Sequence, residues 1–278
     1  MSIGIFAAIL MAALLHATWN ALIKTGTAKV TGMVILCLLQ GGLGAVGAAY
    51  YGLPPAHVWP WIMGSVVFHT GYNLFLGYAY EQGDLSRVYP IARGAAPMFV
   101  LIFGMFFLSD SLRIQDYVGI GVLGIGIFIM ASGVFTRGEE RRLLPYAFGS
   151  ALATAGYTIV DGLGARSWGD AIAYVNWMFV VTALLFPLTA IGLRGPAVLR
   201  ATRATWMLGA GAAVGSYLSY AIVVWAMTQA PLALVAALRE SSILFAVLIG
   251  VLFFKDHMDR SKIIAACFIV AGMILTRI

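Results

Sequence analysis

The sequence predicts an all-α integral membrane protein of ten transmembrane helices in two inverted five-helix repeats, and three observations predict it. Apolar residues make up 62% of the 278 positions and charged residues only 10%, against about 25% charged in an average soluble domain. The chain also divides into ten apolar runs of roughly 20 residues, the length a helix needs to cross a ~30 Å hydrocarbon layer. Finally, one segment occurs twice: Arg93 to Asp110 reads RGAAPMFVLIFGMFFLSD and Arg239 to Asp256 reads RESSILFAVLIGVLFFKD, with Arg, Phe, Gly, Phe and Asp in step.

The runs cover 3–23, 31–51, 59–80, 86–108, 116–135, 146–165, 171–193, 205–228, 232–254 and 262–278. Each is read as a helix, because lipid offers the backbone no partner and a helix satisfies its own amides internally. All connections are short, and the longest polar stretch, Arg137 to Arg142, is a turn between two halves at 1–137 and 138–278. From Arg93 onward an offset of 146 pairs Phe99 with Phe245, Gly104 with Gly250, Phe107 with Phe253 and Gly126 with Gly272. Upstream, an offset of 147 pairs Ala79 with Ala226, Gln82 with Gln229 and Val88 with Val235, so one residue is gained or lost inside the fourth and ninth spans, near Pro90. A kinked or broken helix suits that adjustment. An odd number of spans per half turns the second copy upside down, the arrangement found in many transporters.

Charge placement gives an orientation. Alternating the connections puts Lys24, Lys29, Arg87, Arg137, Arg141, Arg142, Arg194, Arg200, Arg203, Lys255, Arg260 and Lys262 on one side, and Arg113, Arg166 and Arg277 on the other. The basic side is expected to be cytoplasmic, which places both termini on the non-cytoplasmic side of a cytoplasmic membrane. The net charge of +6 is thus spread over five loops and signals topology, not a nucleic-acid partner. The first span has no Lys or Arg before it and is read as retained, not as a cleaved signal. Cys37 and Cys267 lie inside spans and are expected to be packing thiols.

Polar stripes mark candidate pathway residues. The first span carries His16, Trp19 and Asn20, and the third repeats that order and spacing as His69, Tyr72 and Asn73; i, i+3 and i+4 share one helix face. The sixth span has Thr154, Tyr157, Thr158 and Asp161, and the eighth has Ser216, Tyr217, Ser219 and Tyr220. Such residues also serve as interhelical packing contacts, at about 0.6–2 kcal/mol each. Co-occurrence of His, Asn and aromatic residues at mid-span favours a water-accessible binding site. Arg93, Arg239 and Glu240 stand out further, since an intramembrane charge is costly and faces a protein interior or a cavity. Arg239 and Glu240, about 100° apart on a helix, are expected to need two separate partners. Arginine offers a planar fork for a carboxylate, Glu240 or Asp161 an acceptor for an ammonium, and Trp19, Tyr72, Tyr157 and Tyr220 an apolar wall. A structural ion pair between Arg93 and Glu240 is the competing reading.

Tyr50, Tyr51, Trp59 and Trp61 lie at span ends, where aromatics meet lipid headgroups, and Gly41, Gly42, Gly44, Gly47, Gly211 and Gly215 read as close-approach positions. No phosphate-binding glycine loop, H-E-x-x-H or G-x-S-x-G motif occurs, so neither ATP coupling nor intramembrane hydrolysis is supported, and no cofactor or metal is expected. Short loops, two five-span halves and the string Tyr89, Pro90, Pro97, Gly104, Phe107 and Asp110 resemble the EamA-type ten-helix branch of the drug/metabolite transporter superfamily. The Gly-Glu pair usual there is Ser109 with Asp110, and Lys255 with Asp256, in this chain. The resemblance implies a carrier exporting amino acids, neutral or aromatic, or related small metabolites by alternating access, with a central cavity between the halves. A carrier of hydrophobic cations needs an exposed acid with no competing arginine, which Arg93 and Arg239 oppose. Ten spans can enclose a pathway alone, so a monomer in the lipid bilayer is expected.

Overall fold

The computed structural model describes residues 1–25, 29–82, 96–108, 110–136, 142, 144–255, 258 and 260–278. Arg93, Pro90, Ser109 and Asp256 lie outside the described residues. The helices are α1 (Ile3–Thr25), α2 (Lys29–Tyr51), α3 (Trp59–Gln82), α4 (Ala96–Phe107), α5 (Ile114–Thr136), α6 (Leu144–Trp168), α7 (Ala171–Arg194), α8 (Arg203–Gln229), α9 (Leu232–Arg239), α10 (Ser242–Phe254) and α11 (Arg260–Leu275). No strand occurs among the described residues. Five segments have the length and hydropathy of a membrane crossing: Ile3–Ile23, Val30–Tyr51, Ala171–Arg194, Arg203–Gln229 and Leu232–Phe253. Ala96–Phe107 and Ile114–Met130 are shorter apolar helices. The chain is therefore a multi-pass helical membrane protein. Helices α3 and α6 are as long but more polar, because they carry the buried His69, Thr70 and Asn73 and the buried Ser150, Thr154, Thr158 and Asp161.

The segment 232–254 is two helices. Glu240 N donates to Ala237 O at 3.1 Å, Ser241 N to Leu238 O at 3.0 Å and Ile243 N to Glu240 O at 2.9 Å. These bonds reach back three residues instead of four, a 3₁₀-like tightening that breaks the helix at Glu240 and Ser241. Proline is not the cause here, since Pro231 sits at the N-cap of α9, where its missing N–H costs nothing.

Helix pairing is selective. The most extensive packing is α5 on α11, α2 on α7, α3 on α6 and α1 on α8; α2 also meets α8, α3 meets α7, α1 meets α10 and α4 meets α6. Small residues set the closest approaches. A Cβ on Gly119 of α5 would sit 2.9 Å from Gly272 O of α11, and one on Gly126 would sit 2.8 Å from Ala265 O. Gly41, Gly44 and Gly47 of α2 abut Ala183, Phe179 and Asn176 of α7, and Gly211 and Gly215 of α8 lie against Leu22 and Trp19 of α1. Gly42 departs from the expectation, with nothing within 4 Å of its position. Tyr50 and Tyr51 are exposed, whereas Trp61 packs on the core beside Gly164.

One end of the bundle is closed by ionic and backbone contacts. Arg166 at the end of α6 meets Asp110 Oδ1 at 2.7 Å and Oδ2 at 3.2 Å, and donates to the α8 terminal carbonyls of Met227 at 2.8 Å and Ala230 at 2.9 Å. Asp110 Oδ2 also accepts from Leu232 N at 2.8 Å, satisfying an amide at the start of α9. Arg113 pairs with Asp116 at 3.0 Å and reaches Ile278 O at 3.3 Å. Trp177 Nε1 donates to Gly52 O at 2.7 Å. These contacts gather the connections carrying Arg113, Arg166 and Arg277, as the alternation of loops requires. At the opposite end the Arg194 guanidinium lies 4.7 Å from the centre of the Tyr78 ring.

Candidate functional site

The polar faces of α3, α6, α7 and α8 converge on Asp161, which is 0% exposed. A buried carboxyl group needs hydrogen-bond partners, and three reach it. His69 Nε2 of α3 lies 3.0 Å from Oδ2, Tyr174 OH of α7 donates to Oδ1 at 3.0 Å, and Tyr220 OH of α8 donates to Oδ2. Aromatic rings enclose the group. His69 stacks on Tyr157 with centroids 4.2 Å apart and planes 13° from parallel, and its edge meets Tyr220 at 5.3 Å. Tyr72 contacts Tyr157 edge-on at 5.5 Å, and Phe179 closes on Tyr220 at 5.9 Å.

Helical spacing explains the assembly. Tyr157 and Asp161 are one turn apart on α6, and Thr154 and Thr158 make a neighbouring stripe. Tyr174 arrives from α7 because the chain reverses sharply after α6: Gly169, at φ +81°, donates to Ala165 O, and Asp170 Oδ1 caps α7 through Ile172 N at 2.9 Å and Ala173 N at 3.0 Å. The left-handed conformation favours glycine at that position.

The other side of Tyr157 faces the helix break. The Arg239 guanidinium lies 5.8 Å from the ring centre, Nη2 reaches Thr158 Oγ1 at 3.5 Å, and Nε lies 3.7 Å from Glu240 Oε1. Both charged residues are buried, Arg239 at 2% and Glu240 at 0% exposure. Arg239 and Glu240, expected to need two separate partners, also lie within ion-pair range of each other, while Arg239 meets Thr158 and Tyr157 on α6. The Arg239–Glu240 contact is an ion pair without a hydrogen bond, since 3.7 Å exceeds hydrogen-bonding distance.

The structure thus brings together His69, Tyr72, Tyr157, Asp161, Tyr220, Arg239 and Glu240. Arg93 lies outside the described residues. His16, Trp19 and Asn20 form a separate local set on α1: Trp19 Nε1 donates to His16 Nδ1 at 3.2 Å and Asn20 Nδ2 to His16 O at 2.8 Å. Trp19 joins the same hydrophobic cluster as Tyr72, Tyr157 and Tyr220. Asn73 turns toward α2, where Nδ2 meets Cys37 Sγ at 3.3 Å. Tyr174 was not legible as a site residue, although its position one turn after the α6–α7 reversal is the signal that would have found it. Asp110 and Arg166 likewise become partners only through the fold. No cluster of three metal-ligating side chains occurs among the described residues.

Comparison with known proteins agrees with this architecture. Residues 142–278 match the EamA-like transporter family, and the protein carries a domain of that family. An uncharacterized protein, y4nH of Sinorhizobium fredii (strain NBRC 101917 / NGR234), is 26% identical over 82 residues, covering 30% of this chain and 70% of that relative. One solved crystal structure of a protein superposes with a TM-score of 0.76 at 17% identity, over 99% of this chain and 96% of its own, and so shares the fold. The family matched over residues 142–278 is a transporter family.

Proposed function

We propose that the protein is a secondary transporter of the cytoplasmic membrane that exports amino acids, neutral or aromatic, or related small metabolites by alternating access. The carrying observation is a buried, charged, aromatic-lined site at the break between α9 and α10, where α3, α6, α7 and α8 also converge. Unwound helices at mid-membrane are where many carriers place substrate, and intramembrane ionisable residues mark transport pathways.

Packing symmetry supports the inverted-repeat scaffold this mechanism needs. Exchanging α1, α2, α3, α4 and α5 with α6, α7, α8, α9–α10 and α11 returns α2 on α7 and α5 on α11 to themselves. The same exchange turns α3 on α6 into α8 on α1, α2 on α8 into α7 on α3, and α1 on α10 into α6 on α4, all of which are present. The Arg166–Asp110 contacts close one end of the bundle, which suits a carrier poised with that gate shut. His69, Tyr72, Tyr157, Asp161, Tyr220, Arg239 and Glu240 line the proposed site, and His16, Trp19, Asn20, Asn73 and Arg93, the last outside the described residues, are proposed as further substrate-binding residues.

The test is flux. Purified protein in liposomes loaded with labelled amino acids should release them faster than empty liposomes, with lipid and peptide turnover in the same sample at background. His69→Ala and Tyr72→Ala should impair release while each runs as a single species on size exclusion. Full flux in both variants, or turnover of lipid without flux, refutes the reading.

A further inference from the structure

The two charged halves of the site differ in how much of their hydrogen-bonding capacity the protein already uses. Asp161 accepts from three protein donors on its two oxygens, is 0% exposed and is walled by His69, Tyr157 and Tyr220. An ionised carboxylate has about four lone-pair positions. With three of those positions taken and the group 0% exposed behind His69, Tyr157 and Tyr220, a substrate ammonium reaches the fourth only by displacing one of these side chains. Arg239 is the reverse. It carries five N–H donors, yet among the described residues Nε is buried with no hydrogen-bond acceptor and Nη2 makes a single 3.5 Å contact, to Thr158. Glu240 at 3.7 Å offsets the charge without taking those donors.

Other donors near Arg239 are also unmatched. Ser241 Oγ, in the helix break, and Thr154 Oγ1, one turn from Thr158 on α6, are buried without hydrogen-bond partners among the described residues. The break also starts α10, whose first amides present the positive end of a helix dipole. A buried polar atom without a partner is unfavourable, and a bound carboxylate would satisfy several of these at once, with the guanidinium fork gripping both of its oxygens.

We infer that the site selects its substrate by a carboxylate at Arg239 and does not require an ammonium group. The inference rests on the proposed transport function and narrows it: the substrates are carboxylates with an apolar or aromatic body, and the amino group is dispensable. Asp161 becomes a positioning residue that fixes His69, Tyr174 and Tyr220 and holds the aromatic wall against which that body packs.

The experiment measures binding by ligand-induced stabilisation of the purified protein with two matched sets: phenylalanine, 3-phenylpropionate and phenylalaninamide, then leucine, 4-methylpentanoate and leucinamide. Acid and amino acid should bind with Kd values within about threefold of each other, and the amides at least about tenfold more weakly. Arg239→Gln should erase the difference between acid and amide. Arg239→Lys, which keeps the charge and loses the fork, should narrow it, and the wild-type comparison decides the matter if neither variant folds. Amino acids binding at least about tenfold more tightly than their deaminated acids would overturn the inference while leaving the exporter reading intact. Amides binding as well as acids would do the same. Binding of none of the six compounds, together with no flux of any labelled amino acid, would overturn both.

Discussion

Removing the Asp161 carboxylate tests whether the aromatic cluster is organised by that one group. In Asp161→Ala the side chains of His69, Tyr174 and Tyr220 lose the acceptor they share, deep inside the bundle. Breaking a buried charged contact by deleting one partner costs about 3–5 kcal/mol, because the groups left behind stay desolvated. In a protein of this size each kcal/mol corresponds to about 2–4 °C in melting temperature, so a fall of roughly 10 °C is expected. Tyr220→Phe removes one of the three donors and leaves a carboxylate with two, at about 1.5–3 kcal/mol for a hydrogen bond to a charged group. Combining the changes discriminates. If Asp161 is the shared acceptor, Tyr220→Phe should cost almost nothing in the Asp161→Ala background, because the bond it removes is already gone. The coupling in the double-mutant cycle should then be of the order of the Tyr220→Phe cost itself. Melting followed by intrinsic fluorescence in detergent, with size exclusion to confirm a single species, reads all four proteins. Effects that add to within about 0.5 kcal/mol, the behaviour of independent sites, would refute the hub.

Three further outcomes follow from the fold. A C-terminal alkaline phosphatase fusion should be active and a C-terminal green fluorescent fusion dark, because the basic loops predict termini outside the cytoplasm; the opposite pattern reverses the orientation. Arg166→Gln strips the guanidinium donors from Asp110, which keeps Leu232 N, and from the Met227 and Ala230 carbonyls. With its side chain 30% exposed, water replaces part of the loss, so about 1–3 kcal/mol of destabilisation is expected, together with faster hydrogen exchange at the α8–α9 junction; unchanged exchange there would show that the contact closes nothing. Gly119→Ala forces α5 from α11 and should cost about 1–3 kcal/mol, whereas Gly42→Ala, at a position with open space, should leave melting unchanged.

Much of this architecture was legible in the sequence because the signals were local. Apolar run length placed most of the described helices within a few residues, apart from the fourth run, described only from Ala96, and the ninth, which is two helices; the i, i+4 spacing of Tyr157 and Asp161 placed both on one face of α6. The offset change between Val235 and Arg239 indicated a disturbed ninth span, and the break lies immediately beyond it, at Glu240 and Ser241. What could not be read was which stripes would meet. His16, Trp19 and Asn20 repeat the pattern of His69, Tyr72 and Asn73, yet Trp19 and Asn20 donate to His16 within α1 while His69 crosses to α6. That difference depends on tertiary placement, as does the contact of Arg239 with Thr158 and Tyr157 on α6. Tyr174 was hidden for the same reason: nothing in its neighbourhood is polar enough to mark it until the Gly169–Asp170 turn folds it over Asp161.

On the inverted-repeat reading, the scaffold is symmetric and its chemistry is not. The interface of α3 with α6 supplies His69, Tyr157 and Asp161 to the site, while its counterpart, α8 with α1, carries Tyr220 outward to Asp161 and otherwise makes packing contacts. Ser219 illustrates the contrast: it is buried, and its hydroxyl donates to Ala12 O at 2.7 Å across that second interface. Ala12 lies within α1, so its carbonyl also serves the helix ladder, and losing the hydroxyl orphans no charge. Ser219→Ala should therefore cost only about 1 kcal/mol, the net worth of one neutral hydrogen bond, and leave flux unchanged. Tyr220, the next residue, should be sensitive on both counts because its hydroxyl faces a carboxylate. A Ser219→Ala variant that folds and melts normally but stops transport would place a working part of the cycle at the α1–α8 interface, and the site would then have to be drawn across both halves.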